Sequence, residues 1–143
     1  MRARPLTLIE YPPRDAEWRR VSPRSDAEPV RAWLAEGDTV VEGEHGKLKA
    51  RGGEDMIITR THGERSVVRS DIFYRTYEAI GLGGLYRKRG DVVFRYFTLD
   101  RPAIVRTLEG EQHAEAGDWI MEGVIGELWP VPAEEAEEKY RHV

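Results

Sequence analysis

Residues 55–77 read DMIITRTHGERSVVRSDIFYRTY, and residues 118–140 read DWIMEGVIGELWPVPAEEAEEKY. The two stretches align without a gap at an offset of 63 residues. Asp55/Asp118, Ile57/Ile120, Gly63/Gly126, Glu64/Glu127, Val68/Val131 and Tyr77/Tyr140 are identical. Self-similarity at a fixed period constrains architecture before any local propensity does. It predicts one small module present twice, in pseudo-two-fold relation. Each copy contains a hairpin around a Gly-Glu turn, followed by a short helix.

Working outward, the expected fold is α+β and β-rich: two tandem antiparallel modules, each closed by a short helix. The first spans residues 1–80, the second residues 85–143, and Gly81, Gly83 and Gly84 form the hinge. Modules of about 65 to 75 residues are near the size at which one core is marginal, so the copies are expected to pack as one compact unit. PLTLIEY at residues 5–11 alternates as a strand does, and Pro12-Pro13 ends it. Residues 12–25 hold three prolines and read as a loop. Ser25-Asp26-Ala27-Glu28 has the form of a capping box. Val30, Trp33 and Leu34 then fall at helical spacing, which predicts an extra helix near residues 26–35 with Trp33 in the core. Residues 92–97, VVFRYF, form the clearest strand, apolar on both faces. Glu42-Gly43-Glu44 matches Glu109-Gly110-Glu111 at an offset of 67, which implies a four-residue insertion in the first copy. Ser70 is the expected N-cap of the first closing helix, and Pro132 suits the first turn of the second.

With the copies laid out, the motif resembles a family of small phage- and prophage-borne proteins. Its chains open with a strand of the "YRKKPVVIEA" kind, continue with "TLEG", and end in "PGDYI-x-x-GVKGE-x-YPCKPDIF-x-x-TYE". The second copy is similar through Tyr86-Arg87-Lys88-Arg89, Thr107-Leu108-Glu109-Gly110, Gly117-Asp118-Trp119-Ile120, Gly123-Val124, Gly126-Glu127 and Trp129-Pro130-Val131. The first is similar through Arg69-Ser70-Asp71-Ile72-Phe73 and Thr76-Tyr77-Glu78. It departs at Arg60-Thr61-His62, where the family has Gly-Val-Lys; the second departs at residues 132–136. The resemblance implies small strands with a closing helix, and it implies no particular activity.

The chain of 143 residues has net charge −4, and residues 80–143 carry all of it, with 8 Lys+Arg against 12 Asp+Glu. A mildly acidic chain with mixed charges argues against general nucleic-acid binding, which neutralises phosphates with Lys and Arg. No cysteine is present, which removes disulfides, thiolate metal sites and cysteine nucleophiles. No stretch approaches the roughly 18 apolar residues of a membrane span, and the basic N-terminus lacks the apolar run of a signal peptide. A cytoplasmic location is expected.

No P-loop, nucleophile elbow or zincin pattern occurs, and the four histidines have no ligand spacing, so no metal, cofactor or reaction is expected. Asp55 and Asp118 read as turn carboxylates, and Glu64 and Glu127 as hairpin carboxylates. Arg65 and Arg69, with Asp71 at a helix start, suit an anion. Trp119, Trp129 and Glu127 belong to an aromatic, acidic second copy. The leading expectation is a non-enzymatic binding protein of phage type. It recognises a small anionic ligand or a host protein at the seam between copies, through Arg65, Arg69, Asp71, Trp119, Glu127 and Trp129. The rivals are a small acid–base enzyme using Asp/Glu and His at that junction, and an assembly protein whose repeat supports a dimer.

Overall fold

The computed structural model describes residues 6–24, 28–44 and 46–143. Among these the chain is β-rich, with fifteen strands and two helices of seven residues. In chain order they are β1 (Thr7–Ile9), β2 (Arg19–Pro23), β3 (Val30–Leu34), β4 (Thr39–Gly43), β5 (Gly46–Ala50), β6 (Asp55–Thr59), β7 (Arg65–Arg69), α1 (Ser70–Thr76), β8 (Tyr77–Ala79) and β9 (Leu85–Lys88). There follow β10 (Phe94–Thr98), β11 (Ala103–Thr107), β12 (Gly110–Ala114), β13 (Trp119–Glu122), β14 (Leu128–Val131), α2 (Ala133–Lys139) and β15 (Tyr140–His142). No described helix is long and apolar enough to cross a membrane.

Contacts divide the chain into two compact units. One is contiguous, Ser25–Val92; the other is discontinuous, Met1–Arg24 with Val93–Val143. The expected division near residues 80–85 is one of sequence. The contacts instead assign β9 to the first of these units and β1 and β2 to the second.

The contiguous unit is a seven-stranded sheet in the order β5-β4-β7-β6-β3-β9-β8. β6 lies between β7 and β3, and Met56, Ile57 and Ile58 are buried on both of its faces. Side chains alternate across a strand, so the sheet presents two apolar surfaces. Val30, Ala32, Met56 and Ile58 meet Phe73 of α1 and Tyr77, which stack with ring centroids 4.7 Å apart. On the other side Ile57 and Ala35 meet Val41 and Ala50 of the β4–β5 hairpin. Gly63 closes the β6–β7 hairpin at φ 86°, a conformation only glycine adopts without strain. Gly126 does the same at φ 86° in the β13–β14 hairpin.

The discontinuous unit has a five-stranded sheet, β14-β13-β10-β2-β15, and a three-stranded sheet, β1-β11-β12. β10 is the central strand of the larger sheet; the neighbouring β2 comes from the N-terminal part of the chain and is bonded to β10 on one side and β15 on the other. The two units share ladder registers. Met56↔Val68 corresponds to Trp119↔Val131, Trp33↔Ile57 to Phe97↔Ile120, Thr39↔Ala50 to Ala103↔Ala114, and Val30↔Tyr86 to Phe94↔Val21. The turn bonds correspond as well: Ala35 N–H donates to Asp55 O and Leu99 N–H to Asp118 O, at 2.9 and 3.0 Å.

Several expectations are corrected. Val30–Leu34 is a strand, not part of a helix near 26–35; Val30 and Ala32 are buried while Arg31 and Trp33 are exposed, a period of two. The capping-box residues 25–27 lie outside the described residues. Residues 19–23 of the expected loop form β2, where burial of Val21, Ser22 and Pro23 in a sheet overrides weak local propensity. The four-residue insertion is absent, because both hairpins carry five ladder pairs, closing at Gly43↔Gly46 and Thr107↔Gly110. Arg69, not Ser70, stands at the N-cap of α1, and Pro132 at that of α2, neither making a side-chain capping bond.

Candidate functional site

The repeated aspartates hold turns. Asp55 is buried, and its Oδ2 accepts the Arg51 backbone N–H at 2.8 Å; Asp118 Oδ2 accepts that of Glu115 at 2.9 Å. A carboxylate satisfying a turn N–H in this way is a structural anchor. Glu127 folds back over its own hairpin. Its Oε1 accepts the Ile125 N–H at 3.1 Å, and its carboxylate lies where a side chain on Gly123 would stand.

Trp119 is buried, not a surface contact. Its ring stacks on Tyr96 at 3.7 Å with 5° between planes, and His142 sits edge-on to both. Burial pushes the Tyr96 hydroxyl up from its ordinary value, and Arg19 opposes that. Half-buried Trp129 packs edge-on to Phe94 at 5.9 Å. In the contiguous unit the corresponding ladder positions hold Ala32 and Met56, while its helix carries Phe73 where α2 carries Ala136. Aromatic volume thus sits on the helix in one unit and on the sheet in the other.

Asp71 is engaged by Arg69, whose Nη2 donates to its Oδ2 at 2.8 Å. That pair, at the start of a seven-residue helix, makes a poor anion site. His45 lies outside the described residues; His62 is exposed in a hairpin loop, and His113 Nδ1 lies 3.3 Å from Glu115. Among the described residues no three His, Asp or Glu side chains converge as metal ligands.

Arg65, Arg69 and Asp71 therefore belong to the contiguous unit, and Trp119, Glu127 and Trp129 to the discontinuous one. What gathers around Arg65 is a different set. The register of β3, β6 and β7 places Arg31, Thr59 and Arg65 in one row, and Trp33, Ile57 and Val67 in the next. Alternation puts both rows on the face of the sheet opposite α1. Trp33 is 43% exposed, and Arg31 and Arg65 are exposed. Among the described residues neither arginine pairs with a carboxylate; Arg31 Nη1 reaches only the Gly83 carbonyl, at 3.5 Å. The Thr59 hydroxyl between them is buried without a hydrogen-bond partner among the described residues.

The equivalent row of the discontinuous unit is neutralised. Arg95 is opposite Glu122, and they form a bidentate pair at 2.6 and 2.9 Å that raises the Arg95 pKa further. Family models, curated proteins and solved structures give no match to this chain. Sequence reasoning missed Arg31 and Trp33. Their signal was the alternation within VRAWL, obscured by the helical spacing of Val30, Trp33 and Leu34 in the same residues.

Proposed function

We propose that the chain is a non-enzymatic binding protein of phage or prophage type, built from two copies of one module. It holds an anionic ligand, or an anionic surface of a host protein, on the Arg31–Trp33–Arg65 face of residues 25–92. The carrying observation is the exposed Trp33 beside two arginines with no carboxylate partner among the described residues. Trp and Arg are the residue types over-represented at binding hot spots, and desolvated arginine gains most from an anion that accepts its N–H bonds. The duplication rests on the shared ladder registers and the repeated sequence. The phage origin rests on the motif, and a cytoplasmic site of action on the absence of cysteine.

A thermal-shift series tests the binding reading. Inorganic phosphate, citrate, ATP and a short polyglutamate are titrated against the chain and against an Arg31→Ala/Arg65→Ala variant. At least one of these anions is expected to raise the melting temperature, as a ligand of the folded state does, and the rise disappears in the variant. A melting temperature indifferent to all four, or a rise preserved in the variant, rejects the reading.

A further inference from the structure

The two units differ in what covers the equivalent face. In the discontinuous unit the chain's own residues 7–18 do so. β1 adds in parallel to β11, pairing Thr7 to Ala103, Leu8 to Ile104 and Ile9 to Val105. Ile9, Ala16 and Trp18 pack on the core that contains Phe97. Trp18 meets Phe97 edge-on at 5.1 Å, and the Arg95 guanidinium lies 3.9 Å over the Trp18 ring. Residues 7–18 carry Glu10, Asp15 and Glu17 against Arg14 alone, so the covering segment is acidic. Glu10 pairs with Arg106 of β11 at 2.8 Å.

In the contiguous unit no strand takes the corresponding places among the described residues. Trp33 stands in the ladder where Phe97 stands, and Arg31 where Arg95 stands. β4 corresponds to β11. Among the described residues its positions 39–41 pair only with β5, because its bridge to β7 is at Gly43, and Val40 is 56% exposed. A strand edge unpaired at 39–41, an exposed indole and two arginines with no carboxylate partner, all among the described residues, are features that suit an added strand. Main-chain bonds supply affinity, and alternate side chains supply specificity.

Resting on the binding reading above, we infer that this face receives an extended acidic segment of a partner protein. The segment adds as a strand to β4, sets an aromatic side chain against Trp33, and places carboxylates on Arg31 and Arg65. Its chemistry is that of residues 7–18 on the other unit. Three observations favour it over a small anion: the exposed Trp33 ring, the β4 edge unpaired at 39–41 among the described residues, and a covering segment in the same molecule that is both acidic and aromatic.

Fluorescence anisotropy of a labelled peptide with the sequence of residues 7–18 tests this with the full chain. Saturable binding is expected that weakens with added salt. It should fall at least tenfold in Trp33→Ala and in Arg31→Glu, and persist in Trp33→Phe, which restores the ring that Phe97 supplies in the other unit. A peptide with its three carboxylates amidated should bind at least tenfold more weakly. Melting curves identify any variant that fails to fold, and Arg31→Glu on an exposed position then carries the comparison. Absence of peptide binding overturns the inference, as does binding indifferent to Trp33 and Arg31. A concentration-dependent dimer in sedimentation that Trp33→Ala abolishes would assign the face to a second copy and also overturn it. If an anion still raises the melting temperature through Arg31 and Arg65 while the peptide does not bind, the segment inference fails and the anion reading survives.

Discussion

Tyr77, which aligns with Tyr140, serves packing. Its ring is buried against Phe73, and burial raises its hydroxyl above the usual tyrosine value, with Arg60 opposing. A raised folded pKa means the folded state holds its proton more tightly than the unfolded chain. The associated stability is complete below about pH 10 and is lost as pH climbs through the raised value. Denaturant unfolding measured from pH 8 to pH 11 is therefore expected to show a decline above about pH 10. Tyr77→Phe should make that decline shallower, and an unchanged slope would remove Tyr77 as a cause. At this scale the sequence was partly legible. The repeated Asp and Gly positions were identified as turn devices, and the hydrogen bonds of Asp55 and Asp118 fit that role. Trp119 and Trp33 were misplaced, one buried and one exposed, because exposure depends on what packs above a strand.

Hairpins were the most legible elements, since a glycine turn between two apolar runs is a local signal. The strands at 55–59, 65–69 and 128–131 contain the runs 56–58, 66–68 and 127–131 expected around the two hairpin turns, save Glu127. The strand at 30–34 did not, because five residues satisfy helical and strand spacing alike, and only its pairing with β6 and β9 decides. Connections between strands impose their own constraint. Gly52 is held by Asp38, its N–H donating to Oδ1 at 2.9 Å, and a Cβ there would lie 2.6 Å from the Gly37 Cα. Two backbones in contact cannot give way as a side-chain tip does. Gly52→Ala is expected to cost about 2 kcal/mol, in the range of overpacked positions. Gly37→Ala meets nothing within 4 Å and should stay within about 0.5 kcal/mol. Chemical denaturation of the two variants measures the difference, and equal stabilities would refute the close approach.

Over the whole molecule, the discontinuous unit takes an interior strand, β2, from the N-terminal part of the chain. In the contiguous unit β8 passes to β9 through residues 80–84. In the discontinuous unit β15 ends at His142, and its partner β2 begins at Arg19, with Tyr140↔Pro23 matching Tyr77↔Lys88. A circular permutant that begins at residue 25 and joins Val143 to residue 19 through a linker copied from residues 80–84 is expected to keep β2 between β10 and β15. Residues 1–18, with β1, are omitted from it. Hydrogen exchange should show protected amides in β2, β10 and β15, and loss of protection there would overturn the shared topology. The same chain without any copy of β2 should lose that protection.

The sequence by itself determined the β-rich class, the hairpins, the turn carboxylates and the absence of cysteine chemistry, because each is written within about twenty neighbouring residues. Only the tertiary structure decided which strand completes which sheet, that residues 30–34 are extended, and that exposed Trp33, Arg31 and Arg65 share one face. Those depend on pairings between residues far apart in the chain. The energy of a strand's second edge and of an uncovered ring comes from neighbours that local spacing does not name.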